Sequence, residues 1–234
     1  MGTEPDSRHG DRWAGELDAL ATRIHPYRLL LDEQQRTKIA RYCTELLEWN
    51  RRYALLSRHD ADAILRKHVA ACLGSVLLVA PNSDEKWVDV GTGAGLPGIV
   101  LKIVAPGQPI TLIESSHKKC VFLEHVARTL ELGPMPILAK RVETLVARGE
   151  QLGAFDVLFA RAVADIRDTL VQFGPLVRPG GRIVTFKGPG WERDAQAAEE
   201  AGILAAGKYE IHEVLRVPWG PGHLLLIHKG TNPL

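Results

Sequence analysis

The stretch Trp87-Val88-Asp89-Val90-Gly91-Thr92-Gly93-Ala94-Gly95-Leu96-Pro97-Gly98 decides the fold. A short apolar run from Lys86 to Val90, carrying the acid Asp89, opens into a glycine-dense turn. Pro97 and a helical apolar pattern follow. Glycines let the backbone turn sharply at positive φ and let a ligand touch bare main chain. Proline suits the first turn of a helix, where its missing N–H loses no bond. A strand is therefore expected to hand over to a helix here, around a small nucleotide-like ligand.

On the N-terminal side of this turn two helical patterns are expected. Asp32 reads as an N-cap with Gln35 at the capping-box position, and Ile39, Tyr42, Cys43, Leu46 and Trp49 recur at helical spacing to about Asn50. A second pattern runs from about Asp62 through Ile64, Leu65, Val69, Cys72, Val76 and Leu77, and Pro81-Asn82-Ser83-Asp84 breaks it. Between them lies the basic linker Arg51-Arg52-Tyr53-Ala54-Leu55-Leu56-Ser57-Arg58-His59. Residues 1–31 read as a flexible tail and lead-in, with Met1–Arg12 frayed. Residues 32–84 read as a helical unit that packs on a main domain of residues 85–234.

From Lys86 onward strand and helix alternate. Strands are expected at Lys86–Val90, Ile110–Ile113, Ile137–Ala139, Phe155–Phe159 and Arg182–Lys187. Helices are expected at about Gly98–Val104, Lys118–Leu132, Val142–Arg148, Ile166–Leu176 and Glu192–Ala206. Such alternation means an α/β fold with a parallel sheet covered on both faces. The last two strands, Tyr209–Val217 and His223–His228, are joined by the turn-rich Pro218-Trp219-Gly220-Pro221-Gly222, which suits an antiparallel hairpin.

Composition narrows the class. A chain of 234 residues, 45% apolar, fills a sizeable core. The formal net charge of +1 excludes a polycation, so any nucleic-acid contact must come from a local basic patch. The three cysteines, Cys43, Cys72 and Cys120, show no metal spacing and fit a reduced, cytoplasmic protein. Neither a secretory leader nor a membrane span is legible.

The glycine motif alone fits two cofactors. Gly93-Ala94-Gly95-Leu96-Pro97-Gly98 matches the dinucleotide fingerprint G-x-G-x-x-G, and Gly91-Thr92-Gly93-Ala94-Gly95 matches the loop that binds S-adenosylmethionine. Glu114 closes the second strand, where an acid holds ribose hydroxyls in either case. The closing hairpin, the Pro179-Gly180-Gly181 turn before the fifth strand and the want of a second catalytic domain favour S-adenosylmethionine. A nicotinamide-dependent oxidoreductase stays open as the alternative.

Read together, several segments resemble the RsmG (GidB) family. They are Val88 to Ile99, Glu114-Ser115-Ser116-His117-Lys118-Lys119 with Phe122-Leu123, Arg141-Val142-Glu143, Ala160-Arg161-Ala162, Phe186-Lys187-Gly188 and His223-Leu224-Leu225-Leu226-Ile227. The resemblance spans about Asp32 to Lys229, in order. It implies a Rossmann-like methyltransferase of seven mostly parallel strands with an antiparallel last strand. It also implies methyl transfer from S-adenosylmethionine to N7 of a guanine in 16S ribosomal RNA of the small subunit. Such an enzyme is expected to be a cytoplasmic monomer with no metal and no membrane partner. A methyltransferase with a different substrate, or a non-catalytic binding module, remains an alternative.

The expected cofactor residues are Asp89, Gly91, Gly93, Gly95, Leu96, Glu114, Ser115, Val142, Glu143 and Arg161. By the resemblance, Gly91 and Leu96 line the cofactor site, Val142 and Glu143 flank the adenine, and Arg161 sits near the methionine end or the guanine. The expected catalytic residues are Arg161, Arg141 and Lys187, which fall at strand ends on the ligand side of the sheet. Guanine N7 carries an in-plane lone pair, so alignment matters more than a general base. Arg51, Arg52, Arg58, Arg66, Lys67 and His68, with Tyr53 as a stacking group and Lys118, Lys119, Lys140 and Arg141 beyond, are candidates for an RNA face. The chain departs from the family pattern at three places. Ala54 and Leu56 stand for Asn and Thr, Ala71-Cys72 for Asp-Ser, and Gly222 for an Arg before the last His-Leu pair.

Overall fold

The computed structural model describes residues 7–61, 63–161, 164–217 and 222–231. Its centre is a seven-stranded sheet in the order β3-β2-β1-β4-β5-β7-β6. The strands are β1 Trp87–Val90, β2 Ile110–Ile113, β3 Ile137–Leu138, β4 Phe155–Arg161, β5 Val177–Lys187, β6 Tyr209–Arg216 and β7 His223–Lys229. β1 through β5 pair in parallel, whereas β7 runs antiparallel to both β5 and β6. Apart from the start of β5, the seven strands lie within two residues of where the hydrophobic runs placed them. The link expected to be a tight hairpin turn falls mostly at residues 218–221, outside the described residues.

Between the strands lie α5 Gly98–Val104, α6 His117–Thr129, α7 Val142–Ala147, α8 Ile166–Phe173 and α9 Trp191–Glu200. Alternate residues of each strand face opposite sides. Trp87, Leu112, Phe159, Val184 and Leu226 join one core, while Val88, Ile113, Leu158, Ile183 and Ile227 join the other. α9 stops at Glu200, short of the expected Ala206, because Gly202 takes a left-handed φ of 66° two residues later. β5 begins at Val177 and not at Arg182, with a register shift against β4 absorbing the Pro-Gly-Gly turn.

The N-terminal helices are α1 Ser7–Ile24, α2 Glu33–Tyr53, α3 Arg58–Ala61 and α4 Ala70–Leu78. The Asp32–Gln35 capping box forms as expected, each backbone N–H taken by the other side chain. α1 corrects the expectation of a flexible lead-in. Trp13, Leu17, Leu20 and Ile24 are buried at spacings of four, three and four residues, and Trp13 Nε1 donates to Thr44 Oγ1 at 3.0 Å. The expected helix from Asp62 is also not uniform. A π-helical stretch, Ile64–Val69, precedes α4, and the Ala70 N–H reaches back five residues to the Leu65 carbonyl. Ile39, Tyr42, Cys43 and Leu46 of α2 share a core with α5, α6 and the sheet.

Candidate active site

Strand order reverses between β1 and β4, since β2 and β3 lie to one side and β5 to the other. Open α/β sheets bind ligands outside the carboxyl ends of their strands at such a switch point. The glycine turn sits there. Gly91, Gly93 and Gly95 adopt φ values of 63°, 60° and 91°. The Gly91 N–H donates to the Ile113 carbonyl at 2.9 Å, tying the turn to β2. A Cβ at Gly95 would lie 2.3 Å from Ile99 Cγ1, so that glycine serves close helix packing. A Cβ at Gly93 would meet nothing nearer than the Gly91 carbonyl oxygen at 3.8 Å, so open space lies over this part of the loop.

Two acids organise the turn from beneath and beside. Asp89 is fully buried, and its Oδ2 accepts from Thr92 Oγ1 at 2.5 Å and from the Gly98 N–H at 2.7 Å. Its Oδ1 is buried and unpaired. Burial raises the Asp89 pKa to about 7, against the opposing pull of the Thr92 and Gly98 hydrogen bonds. Glu114 accepts from the Gly93 N–H through Oε2 at 2.9 Å and from the Ser116 N–H through Oε1 at 2.8 Å. Each carboxylate oxygen keeps a second lone pair, which suits paired ribose hydroxyls. The loop has a third support that no local pattern announced. Tyr42, buried in α2, donates its hydroxyl to the Ala94 carbonyl at 2.7 Å.

Beside the loop, at the ends of β4 and β5, lies a cavity of about 370 Å³. Ala71, Phe186, Val217 and Leu224 supply apolar walls, and Lys67, Arg161 and Lys187 supply cationic groups. The Arg161 guanidinium carbon stands 6.0 Å from the centre of the Phe186 ring. Lys187 Nζ donates to the Ala164 carbonyl at 2.5 Å, and its side chain is only 8% exposed. Burial lowers the Lys187 pKa.

Arg161 and Lys187 meet at the cavity. Arg141 does not line it; it is exposed at the N-cap of α7, beyond β2 and β3. Leu96 and Val142 are buried apolar residues, whereas Ser115 and Glu143 are exposed near the ends of β2 and β3. Of the departures from the family pattern, Ala71 and Gly222 both line the cavity. Ala54 is the C-cap of α2 in the left-handed region, φ 47° and ψ 53°, a conformation that asparagine tolerates better than alanine. Sequence reasoning missed Tyr42 as a support of the loop. Tyr42 showed only as an apolar position on a helix face, and its partner lies 52 residues away. Among the described residues no helix is long and apolar enough to cross a membrane.

The sheet order, the antiparallel β7 and the Glu114-anchored glycine turn define a Rossmann-like methyltransferase that uses S-adenosylmethionine. The fold recurs in a methyltransferase of this kind from Aquifex aeolicus, with a TM-score of 0.54 at 14% identity over 74% of this chain and 95% of that one. It recurs also in a putative one from Methanococcus maripaludis, with a TM-score of 0.54 at 13% identity over 82% and 93%. The family model described as rRNA small subunit methyltransferase G matches residues 35–216, and the chain belongs to that family. It is 37% identical to ribosomal RNA small subunit methyltransferase G of Carboxydothermus hydrogenoformans, over 78% of this chain and 77% of the relative. The corresponding protein of Chloroflexus aggregans is 36% identical over 85% and 84%.

Proposed function

We propose that the protein transfers a methyl group from S-adenosylmethionine to N7 of a guanine in 16S ribosomal RNA of the small subunit. The cavity beside the glycine loop carries this reading. It pairs apolar walls that include the Phe186 ring, which suit a base, with Lys67, Arg161 and Lys187, which suit phosphate and the acceptor edge of guanine. Family membership supports small-subunit ribosomal RNA as the acceptor.

S-adenosylmethionine supplies an activated methyl group on a sulfonium. The residues that would hold it are Glu114, on the ribose hydroxyls, and the Gly91–Gly95 backbone, where open space lies over Gly93. Asp89 and Tyr42 keep that backbone in shape from below. Arg161 donates to guanine O6, which neighbours N7, and so orients the ring. Lys187 and Lys67 attract the flanking phosphates. N7 needs no deprotonation, so the chain contributes alignment and exclusion of water rather than a base.

The test is incubation with labelled S-adenosylmethionine and either small subunits lacking the modification or naked 16S ribosomal RNA. Nuclease digestion should release labelled 7-methylguanosine from at least one of them. Its absence from both would overturn the proposal.

A further inference from the structure

Arg161 is held from behind. Its Nη2 meets Nδ1 of His68, a residue that is 6% exposed and stands outside the cavity lining. The other ring nitrogen, Nε2, lies 3.1 Å from Asp60 Oδ1. Asp60 is itself fixed. Lys67 Nζ donates to its Oδ1 at 2.6 Å, Ser57 Oγ donates to its Oδ2 at 2.7 Å, and its N–H donates to Ser57 Oγ at 3.1 Å.

The chemistry of the three groups sets the direction of the chain. A guanidinium only donates, so His68 Nδ1 must offer a lone pair. The ring is then neutral, with its proton on Nε2, which lies within ion-pair distance of the Asp60 carboxylate but is not aligned with it as a hydrogen bond. Burial, aided by the Arg161 charge, pushes His68 down to about 4, which keeps it neutral. Hydrogen bonds, the Lys67 one foremost, hold Asp60 below the usual carboxylate range, which keeps it charged. The π-helical stretch Ile64–Val69 carries both Lys67 and His68, so one segment places a cavity-lining cation and the group behind Arg161.

We propose that His68, seated beside the charged Asp60, is a positioning residue for methyl transfer that fixes the Arg161 guanidinium at the acceptor cavity. The proposal rests on the reading of Arg161 as an acceptor-binding group. It assigns to His68 no contact with either substrate.

The test is single-turnover methylation of small subunits by His68→Leu, His68→Asn, Arg161→Ala and the double variant His68→Leu/Arg161→Ala, with S-adenosylmethionine affinity measured by calorimetry. His68→Leu should slow transfer by roughly tenfold to a hundredfold, the loss expected when a reacting group shifts by about an ångström. Affinity for S-adenosylmethionine should stay within about twofold, since His68 touches no part of that site. His68→Asn should recover most of the rate, because its amide oxygen can accept where Nδ1 does. In the Arg161→Ala background His68→Leu should add nothing. A wild-type rate for His68→Leu overturns the proposal, as does an equal loss in both backgrounds or an Asn variant as slow as Leu. A wild-type rate for Arg161→Ala instead defeats the reading of Arg161. If His68→Leu does not fold, Asp60→Asn decides: a slower transfer at unchanged cofactor affinity supports the proposal, and an unchanged rate overturns it.

Discussion

The Tyr42 hydroxyl donates to the Ala94 carbonyl at 2.7 Å and so joins α2 to the middle of the cofactor loop. The N-terminal helices are thereby part of the site's construction. Tyr42 is fully buried, and burial raises its pKa well above the usual tyrosine value, so the hydroxyl keeps its proton and donates.

Tyr42→Phe leaves the Ala94 carbonyl without its partner. The expected loss is about 1–3 kcal/mol, the usual consequence of an unsatisfied buried acceptor. Urea denaturation should show it as a lower midpoint, with weaker S-adenosylmethionine binding alongside. An unchanged midpoint and an unchanged affinity would mean that the bond contributes nothing.

Glu114→Gln keeps one acceptor oxygen and sets an amide NH2 against the other of the Gly93 and Ser116 N–H donors. It also removes the charge from the ribose-binding acid. Charged hydrogen bonds of this kind contribute about 1.5–3 kcal/mol, so affinity for S-adenosylmethionine should fall roughly tenfold to a hundredfold. Calorimetry checks this, and wild-type affinity would remove Glu114 from the cofactor site.

Two glycine substitutions should separate stability from binding. A Cβ at Gly98 would lie 2.3 Å from Leu112 Cδ2 and 2.9 Å from Asp89 Oδ2, so Gly98→Ala should destabilise by about 1–3 kcal/mol. At Gly93 a Cβ meets open space, but φ is +60°, which penalises alanine by about 1–2 kcal/mol. Gly93→Ala should therefore place its methyl where the ligand lies and weaken cofactor binding by a larger factor than Gly98→Ala. Thermal melts with and without S-adenosylmethionine distinguish them. Equal ligand-induced shifts in both variants would contradict this assignment.

Asp89 should make stability depend on pH. Its folded pKa of about 7 lies above the ordinary value of 3.8. Between those values the folded state carries a proton that the unfolded state lacks. Stability from this group is then full below about 4, falls by up to about 1.4 kcal/mol per pH unit as pH rises, and levels above about 7. Asp89→Asn abolishes that titration. Wild type should therefore fare better relative to Asp89→Asn at pH 5 than at pH 8, as read from urea midpoints. A gap that does not change with pH would sink the assignment.

Ala54 is strained for a reason unrelated to the active site. It caps α2 at φ 47°, and its N–H still donates to the Asn50 carbonyl at 3.2 Å. Ala54→Asn should stabilise by about 0.5–1 kcal/mol, because asparagine visits the left-handed region more readily. A lower melting temperature for this variant would refute the capping role.

Legibility followed the range of the interaction. The capping box at Asp32 and Gln35 closes over three residues, and it was visible as a string. The strands showed because period-two and continuous apolar runs are local patterns. α1 was legible too, since Trp13, Leu17, Leu20 and Ile24 recur at helical spacing, but the polar residues before Trp13 masked that pattern as a tail. The π-helical stretch broke the periodicity of the segment from Asp62, and the turn chemistry that would have flagged it is absent. Arg161 and Lys187 could be placed at strand ends, but strand order alone brings them to one cavity. Arg141 sits at a strand end by the same reasoning and lies elsewhere, because β3 is at the far edge of the sheet.

By itself the sequence determined the α/β class, the strands, the glycine turn and its acid partner, and with them the family. All of these rest on residues near one another along the chain, whose conformational preferences act before any tertiary contact forms. Only the tertiary structure decided that Tyr42 supports the loop, that Ala71 and Gly222 face one cavity, and that Asp60, His68 and Arg161 stand in a row. Those relationships join residues up to about a hundred and fifty positions apart. They depend on strand order and on the packing of α2 and the π-helical stretch against the sheet, which no local pattern encodes.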